Sequence, residues 1–162
     1  MKLYWDLDGV LRDLTKLVFK HIPQDWYHKE NNEDIFEKIN KDLTVLKKSP
    51  ATEFYKVAIK FPFIKILTCQ PEHWKPFTKQ WIEKHFSSIV HSVKYLNHQE
   101  EKINIIKNEN AFLIDDYPFF SDYSRVILID YPYNRNVRAK IRIRNSKQLD
   151  ELLKHIDILE KL

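Results

Sequence analysis

The stretch Lys2-Leu3-Tyr4-Trp5-Asp6-Leu7-Asp8-Gly9-Val10-Leu11 decides the fold, and it contains the only glycine of the 162-residue chain. Its apolar start is typical of a buried β-strand, and Asp6 and Asp8 stand where that strand ends. Alternate side chains of a strand lie on one face, so we expect the two carboxylates to project together. A hard divalent cation such as Mg²⁺ would relieve their repulsion. Gly9 allows the backbone to bend around a ligand, although an ordinary Asp-Gly turn is the alternative interpretation.

Strand-like and helix-like segments alternate along the rest of the chain. After the first strand, the predicted strands lie at 63–67, 89–95, 111–114, 125–130 and 140–144. The predicted helices lie at 14–21, within 24–48, at 50–60, 74–86 and 102–108, and from Ser146, as its cap, towards Leu162. Several strands are apolar enough to be covered on both faces. The pattern therefore predicts an α/β fold with a mainly parallel sheet and helices on both faces.

The length predicts a single domain over residues 1–162, with a small helical lobe inserted after the first strand at about 14–60. No apolar run is long enough to span a bilayer, and the start of the chain lacks a signal-peptide pattern. The single cysteine, Cys69, excludes an internal disulfide. We therefore expect a cytoplasmic protein without membrane partners. The formal charge of +4 favours anionic partners such as phosphates or nucleic acid.

Polar residues follow two further apolar segments at the point where each strand ends. Thr68 follows the second predicted strand, and Asp115 and Asp116 follow the fourth. Ligands of open α/β sheets bind outside the carboxyl ends of the strands, so we expect these side chains to share a crevice with Asp6 and Asp8.

This set of residue types indicates phosphoryl transfer. Asp6 would attack phosphorus and form an aspartyl-phosphate, while Asp8 would protonate the leaving oxygen and then activate water. Mg²⁺ would bind Asp6, Asp115 and a nearby backbone carbonyl, and the candidate metal residues are Asp6, Asp8 and Asp115. Thr68 would donate a hydrogen bond to a phosphate oxygen.

A lysine is needed to hold the remaining phosphate charge. Lys102 is the first candidate, because it opens the predicted helix that leads into the Asp115 strand, and Lys107 is the alternative. Gly9 and Cys69 are predicted beside the phosphate, with Cys69 as a small buried thiol. Whether Asp116 joins the metal ligands stays open at this stage.

Four segments resemble the motifs of the haloacid dehalogenase (HAD) superfamily of Mg²⁺-dependent phosphatases. They are Asp6-Leu7-Asp8-Gly9-Val10-Leu11, Ile66-Leu67-Thr68, Lys102 and Leu113-Ile114-Asp115-Asp116, in the family's order. The resemblance implies a Rossmann-like core with a helical cap after the first strand. It also implies a phosphoric monoester hydrolase, because aspartate at position 8 resembles the phosphatases of the superfamily more than its ATPases.

Two further stretches, Ile114-Asp115-Asp116-Tyr117-Pro118 and Ile129-Asp130-Tyr131-Pro132-Tyr133-Asn134-Arg135, together with the basic strand and final helix, resemble the 5'(3')-deoxyribonucleotidase group. This resemblance implies a nucleoside monophosphate as substrate, with aromatic side chains of the cap flanking its base. The candidates are Phe19, Trp26, Tyr27 and Trp74. Phosphatases of polynucleotide ends or of sugar phosphates are the alternatives.

A basic stripe offers an interpretation from another class. Its members are Arg135, Arg138, Lys140, Arg142 and Arg144. The stripe could contact a nucleic acid backbone, so a non-catalytic nucleic-acid-binding domain is the competing hypothesis. An edge strand protected by charge against pairing with another chain explains the same residues, and we favour it.

Overall fold

Six parallel strands form one sheet in the computed structural model, which describes residues 2–156. The strands are β1 (Leu3–Asp6), β2 (Phe63–Cys69), β3 (Val90–Leu96), β4 (Phe112–Asp115), β5 (Val126–Ile129) and β6 (Ile141–Ile143). Every pairing between neighbouring strands is parallel. The α/β class and the parallel, Rossmann-like sheet predicted from the sequence are therefore confirmed.

The strand order is β3-β2-β1-β4-β5-β6. The chain builds outward from β1 through β2 to β3, and then returns to the other side of β1 to lay down β4. Loops leaving β1 and β4 consequently diverge to opposite sides. In open parallel sheets a crevice forms at this switch point, outside the carboxyl ends of the two strands. Asp6 ends β1 and Asp115 ends β4, so the fold brings both to that crevice.

Seven α-helices are present within residues 2–156. They are α1 (Leu14–Val18), α2 (Ile35–Lys41), α3 (Val45–Lys48), α4 (Tyr55–Ala58), α5 (Lys75–His85), α6 (Gln99–Asn108) and α7 (Ser146–Lys154). The segment 50–60, predicted as one helix from Pro50, is helical only in α4. Its first residues instead pair with the loop after β1, where the Asp13 amide donates to the Pro50 carbonyl at 2.8 Å and the Thr52 amide to the Leu11 carbonyl at 3.0 Å.

The cap of the last helix also differs from the prediction. Asn145, and not Ser146, caps α7, because the Asn145 side chain accepts a hydrogen bond from the Gln148 amide. The predicted continuation of this helix over residues 157–162 lies outside the described residues. No helix within residues 2–156 is long and apolar enough to cross a membrane.

Alternation along the strands fills two apolar layers, one on each face of the sheet. Trp5 of β1 packs in the layer covered by α4, α5 and α7, whereas its neighbour Tyr4 packs in the layer covered by α6. Both residues are buried. Helices thus cover both faces, which explains why the central strands β4 and β5 are buried along their whole length.

The segment between β1 and β2 forms a small lobe with a core of its own. Leu14, Ile39 and Leu46, from α1, α2 and α3, pack there with Trp74. Helix α4 lies within the expected 14–60 insertion but contributes Val57 to the sheet core instead. The lobe, defined by α1 to α3 and the loops between them, lies over the carboxyl ends of the strands.

Candidate active site

Three buried aspartates meet at the switch point of the sheet. Carboxylate oxygens of Asp6, Asp115 and Asp116 lie within 4.8 Å of one another. Asp6 ends β1, and Asp115 and Asp116 stand at the end of β4 and directly after it, so the parallel register of these two neighbouring strands creates the cluster.

Lys102 is the cation that the structure brings to this cluster. Its Nζ lies 2.8 Å from Asp6 Oδ1 and 2.9 Å from Asp115 Oδ2, and only 1% of its side-chain surface is exposed. Lys102 lies in the first turn of α6, which faces the crevice. Lys107, the alternative candidate, lies further along α6 and places its Nζ 4.9 Å from the Tyr123 ring centre. The geometry therefore favours Lys102 among the two.

The charges of the cluster do not balance. One ammonium faces three carboxylates, and burial raises the pKa of Asp6 well above its ordinary value, with the charges of Asp115 and Asp116 acting in the same direction. Burial and the Asp115 charge likewise raise the pKa of Asp116 to about 7. Burial opposes the charge of Lys102, but Asp115 and Asp6 outweigh it and raise the pKa of this lysine. Added positive charge would stabilise such a site.

The donor atoms of the cluster fit a hard divalent cation. They are all carboxylate oxygens, which Mg²⁺ prefers over nitrogen or sulfur. Two positive charges would also match the excess of two carboxylates over Lys102. Asp115 is already held in place, because its Oδ1 accepts a hydrogen bond of 2.9 Å from the Tyr117 amide. Asp6, Asp115 and Asp116 are thus the residues that could hold a metal ion.

Gly9 is required by the way the cluster packs. Its φ of +85° lies in the left-handed region, and a Cβ added there would sit 2.2 Å from Asp116 Oδ2. Any side chain at this position would displace the Asp116 carboxylate. The Gly9 carbonyl is fixed as well, since it accepts a hydrogen bond of 2.8 Å from the Tyr131 hydroxyl.

Tyr133 and Asn134 hold Asp116 from the other side. The Tyr133 hydroxyl donates to Asp116 Oδ2, and the Asn134 side-chain amide donates to the Asp116 carbonyl at 2.9 Å and to the Ile129 carbonyl at 2.8 Å. Neither residue was predicted from the sequence to lie at the candidate metal site. The polar residues directly after the apolar fifth strand were the signal that could have pointed to them.

Asp8 lies at the edge of the site and is paired with Arg12. Both carboxylate oxygens accept hydrogen bonds from the guanidinium, at 2.6 Å from Nε and 3.0 Å from Nη2. Asp8 keeps 26% of its side-chain surface exposed, whereas Arg12 is fully buried. Arg12 was not predicted from the sequence. The spacing of four residues indicates an ion pair on a helix, but Asp8 and Arg12 lie in the loop after β1.

A cavity of about 350 Å³ lies between this cluster and the lobe. Asp6, Asp8, Thr68 and Cys69 line it from the side of the sheet. Thr68 is 1% exposed, as expected for a residue at the end of a central strand. Burial raises the pKa of the Cys69 thiol, so this cysteine is mostly protonated near neutral pH.

The four aromatic residues proposed from the sequence to flank a base all line this cavity. They are Phe19, Trp26, Tyr27 and Trp74. Trp26 packs edge-on against two aromatic residues of the core, with ring centres 5.2 Å from Tyr117 and 5.3 Å from Tyr133. Two buried polar atoms of the lining, His28 Nε2 and Gln99 Oε1, have no hydrogen-bond partner among the described residues. The cavity therefore combines flat apolar walls with hydrogen-bonding groups.

The basic stripe does not form one free surface. Arg142 donates to Asp130 at 2.9 Å and to the side-chain and backbone oxygens of Asn134 at 3.0 and 3.1 Å, so it is used within the protein. Arg135 also pairs with Asp130, at 3.0 Å. Strand β6 lies at the edge of the sheet, in agreement with the interpretation of the stripe as a charged edge strand.

The chain matches no protein-family model. No curated protein shows significant similarity to it.

Proposed function

We propose that this protein is a Mg²⁺-dependent phosphomonoesterase of the HAD type that acts through an aspartyl-phosphate, with nucleoside monophosphates as its substrates. The observation that carries the proposal is the cluster of Asp6, Asp115, Asp116 and Lys102 at the switch point of the sheet. The order of the sequence motifs, which resembles that superfamily, supports the same reaction.

Each step of the proposed reaction has a residue at the cavity. A carboxylate oxygen of Asp6 bonds to phosphorus while the ester oxygen leaves with a proton from Asp8. Water then attacks the phosphorus of the aspartyl-phosphate and gives a proton to Asp8, which releases inorganic phosphate and restores both carboxyl groups. Lys102 holds Asp6 in place and contributes positive charge next to the phosphate.

Asp6, Asp115 and Asp116 would hold Mg²⁺, with the Asp8 residue as a candidate for a backbone ligand. When bound, this ion would neutralise negative charge on the carboxylates and on the phosphate, which otherwise repel. The excess of buried carboxylates over Lys102 and the raised pKa values of Asp6 and Asp116 support this assignment.

The walls of the cavity support a substrate with a flat ring. Phe19, Trp26, Tyr27 and Trp74 line it, and aromatic side chains stack favourably on nucleobases. A volume of about 350 Å³ is within the range of small-molecule sites. Nucleoside monophosphates combine the ring with the phosphate that the acidic end of the cavity would process.

Replacing the predicted nucleophile tests the proposal. Asp6→Asn should lower kcat by roughly 10³-fold or more, because the amide cannot form the covalent intermediate. Excess EDTA should also abolish hydrolysis, and added Mg²⁺ should restore it. The measurement is phosphate release with Mg²⁺ from 5'- and 3'-deoxynucleotides, sugar phosphates and 3'-phosphorylated oligonucleotides. Asp122→Asn, which changes an exposed aspartate outside the cavity, is the matched control. Full activity of Asp6→Asn would contradict the mechanism.

A phosphatase of polynucleotide ends is the second candidate, and one observation favours it. An open groove that shares Tyr27 and Tyr117 with the cavity continues past Phe119, Tyr123 and Lys107. Exposed aromatic rings with a lysine suit further nucleotides of a single strand. Preference for the phosphorylated oligonucleotide over the mononucleotides in the same assay would select this candidate.

A further inference from the structure

Arg12 occupies an unusual position for an arginine, because its side chain is completely buried. It binds both oxygens of Asp8, with Nε at 2.6 Å from Oδ1 and Nη2 at 3.0 Å from Oδ2. Asp8 lines the cavity, so the pair extends from the protein interior to the space that a substrate would occupy. Two parallel hydrogen bonds fix the plane of the carboxylate as well as its distance.

Two other elements, α3 and α5, hold the guanidinium from its far side. Nη1 donates to the Leu46 carbonyl of α3 at 2.8 Å and to the Thr78 hydroxyl of α5 at 3.1 Å. The Trp81 ring centre lies 5.8 Å from the guanidinium carbon. Thr78 in turn donates to Gln70 Oε1 at 2.7 Å. The orientation of Arg12 is therefore set by the lobe and by α5, independently of Asp8.

This arrangement does more than neutralise a buried charge. A lysine or a single hydrogen bond would balance Asp8 electrostatically but would let its carboxylate rotate. The planar guanidinium prevents that rotation, and each carboxylate oxygen still has one lone pair that is not used by Arg12. A carboxylate that transfers protons during catalysis benefits from such fixed geometry, because misplacement of a reacting group by about 1 Å can cost roughly 10²-fold in rate.

We propose that Arg12 is a positioning residue that presents the Asp8 carboxylate to the leaving oxygen of the substrate. This inference rests on the function proposed above, in which Asp8 transfers the proton. It assigns to the lobe a part in that step, since the Leu46 carbonyl of α3 is one of the groups that hold Arg12.

Arg12→Met tests the inference through two substrates with different leaving groups. A nucleoside 5'-monophosphate releases an alkoxide, which needs a proton, whereas p-nitrophenyl phosphate releases a stable anion without one. The value of kcat/KM reports steps up to the transfer of the phosphoryl group. We expect Arg12→Met to lower it roughly 10²-fold for the nucleotide and much less for the aryl ester. An equal loss for both substrates would reflect only lost structure and would overturn the inference.

A double substitution provides a second, independent readout. Asp8→Asn removes the group that Arg12 positions, so adding Arg12→Met should produce almost no further loss in hydrolysis of the nucleotide. Residues that act as one unit show such non-additive effects. If the two losses multiply, Arg12 acts elsewhere and the inference fails.

Thr78→Val keeps the experiment decisive if Arg12→Met does not fold. It removes one anchor of the guanidinium while leaving Arg12 and Asp8 unchanged, and valine has nearly the same shape. A smaller loss, selective for the nucleotide, is expected, and an unselective loss or none would contradict the inference. If the unmodified chain hydrolyses neither ester with Mg²⁺, the proposed function fails as well. A different result would refute the Arg12 inference alone. In that case the unmodified chain hydrolyses both esters, Asp6→Asn abolishes both activities, and Arg12→Met lowers both by the same factor.

Discussion

The position of the Asp116 carboxylate depends on two neighbouring residues, Gly9 and Tyr133. Gly9 leaves the space for its carboxylate, and the Tyr133 hydroxyl donates to Oδ2 of that carboxylate. Burial and the Asp115 charge raise the pKa of Asp116 to about 7, and the Tyr133 hydrogen bond opposes this rise by favouring the ionised form. Tyr133 therefore orients Asp116 and also favours the charge state that a metal ion needs.

Tyr133→Phe should weaken Mg²⁺ binding by roughly 10- to 100-fold, because outer partners of metal ligands have effects of this size. Removal of the hydroxyl leaves Asp116 free to rotate and raises its pKa further. Titration calorimetry with MgCl₂ at pH 7 measures the change. Tyr123→Phe removes the same atom from a tyrosine that does not contact the cluster, and it should leave affinity unchanged. Unchanged binding by Tyr133→Phe would exclude Asp116 from the ion's surroundings.

Among the elements of the fold, the segment 131–134 links strands β4, β5 and β6 through hydrogen bonds. Asn134 is fully buried and donates to the Asp116 carbonyl after β4 and to the Ile129 carbonyl at the end of β5. Its Oδ1 accepts from the Tyr131 amide at 3.1 Å and from Arg142 of β6 at 3.0 Å. No α-helix lies between β4 and β5 or between β5 and β6, and each connection contains only one turn of 3₁₀-helix. The side-chain amide of Asn134 therefore links the three strands by hydrogen bonds.

Asn134→Ala should lower the free energy of unfolding by about 2–4 kcal/mol, since it leaves several buried polar groups without partners. Urea denaturation followed by circular dichroism measures this change. Asn136→Ala, at an exposed position two residues further on, should change stability by less than about 0.5 kcal/mol. A loss for Asn134→Ala as small as that of the control would show that the segment is held by other contacts.

The free energy of unfolding of the protein should depend on pH, because the buried carboxyl groups of Asp6 and Asp116 have raised pKa values. Asp116 has an ordinary pKa of 3.8 and a folded-state pKa of about 7, so between these values the folded state binds a proton that the unfolded state has released. Its contribution to stability is therefore present at low pH and is lost as the pH rises towards 7. Asp6, whose pKa is raised for the same reason, contributes with the same sign.

The prediction concerns protein in EDTA between pH 5 and 7. His85 contributes with the opposite sign, because burial lowers its pKa. The decisive quantity is therefore the free energy of unfolding of the unmodified chain minus that of Asp116→Asn. This difference should fall by up to about 1.4 kcal/mol per pH unit, and saturating Mg²⁺ should flatten the fall. Denaturation curves at three pH values measure this difference. A difference that rises with pH would contradict a raised pKa of Asp116 in the folded protein.

Sequence patterns predicted the α/β class, the six strands to within a few residues, and the ends of β1 and β4 as the place where carboxylates lie together. These features depend on local pattern. Apolar runs predict strands that are buried on both faces, and the carboxyl ends of parallel strands must lie at one edge of the sheet. Asp6 and Asp115 follow directly from that rule. Lys102 was preferred to Lys107 because it opens the predicted helix, but the contacts of Lys102 with Asp6 and Asp115 depend on how α6 packs.

The partners of the acidic groups could not be predicted from the sequence, because they depend on how the folded chain packs. The pairs of Tyr133 with Asp116 and of Tyr131 with Gly9 depend on how loops from different strands pack. Arg12 and Asp8 share one loop, but α3 and α5 hold the guanidinium in place. The pair of Tyr131 and Gly9 joins residues 122 positions apart. The short helices around Pro50 likewise reflect hydrogen bonds to the loop after β1 rather than helix propensity. Sequence pattern fixes which face and which end a residue occupies, whereas the atoms that it contacts depend on packing between distant segments.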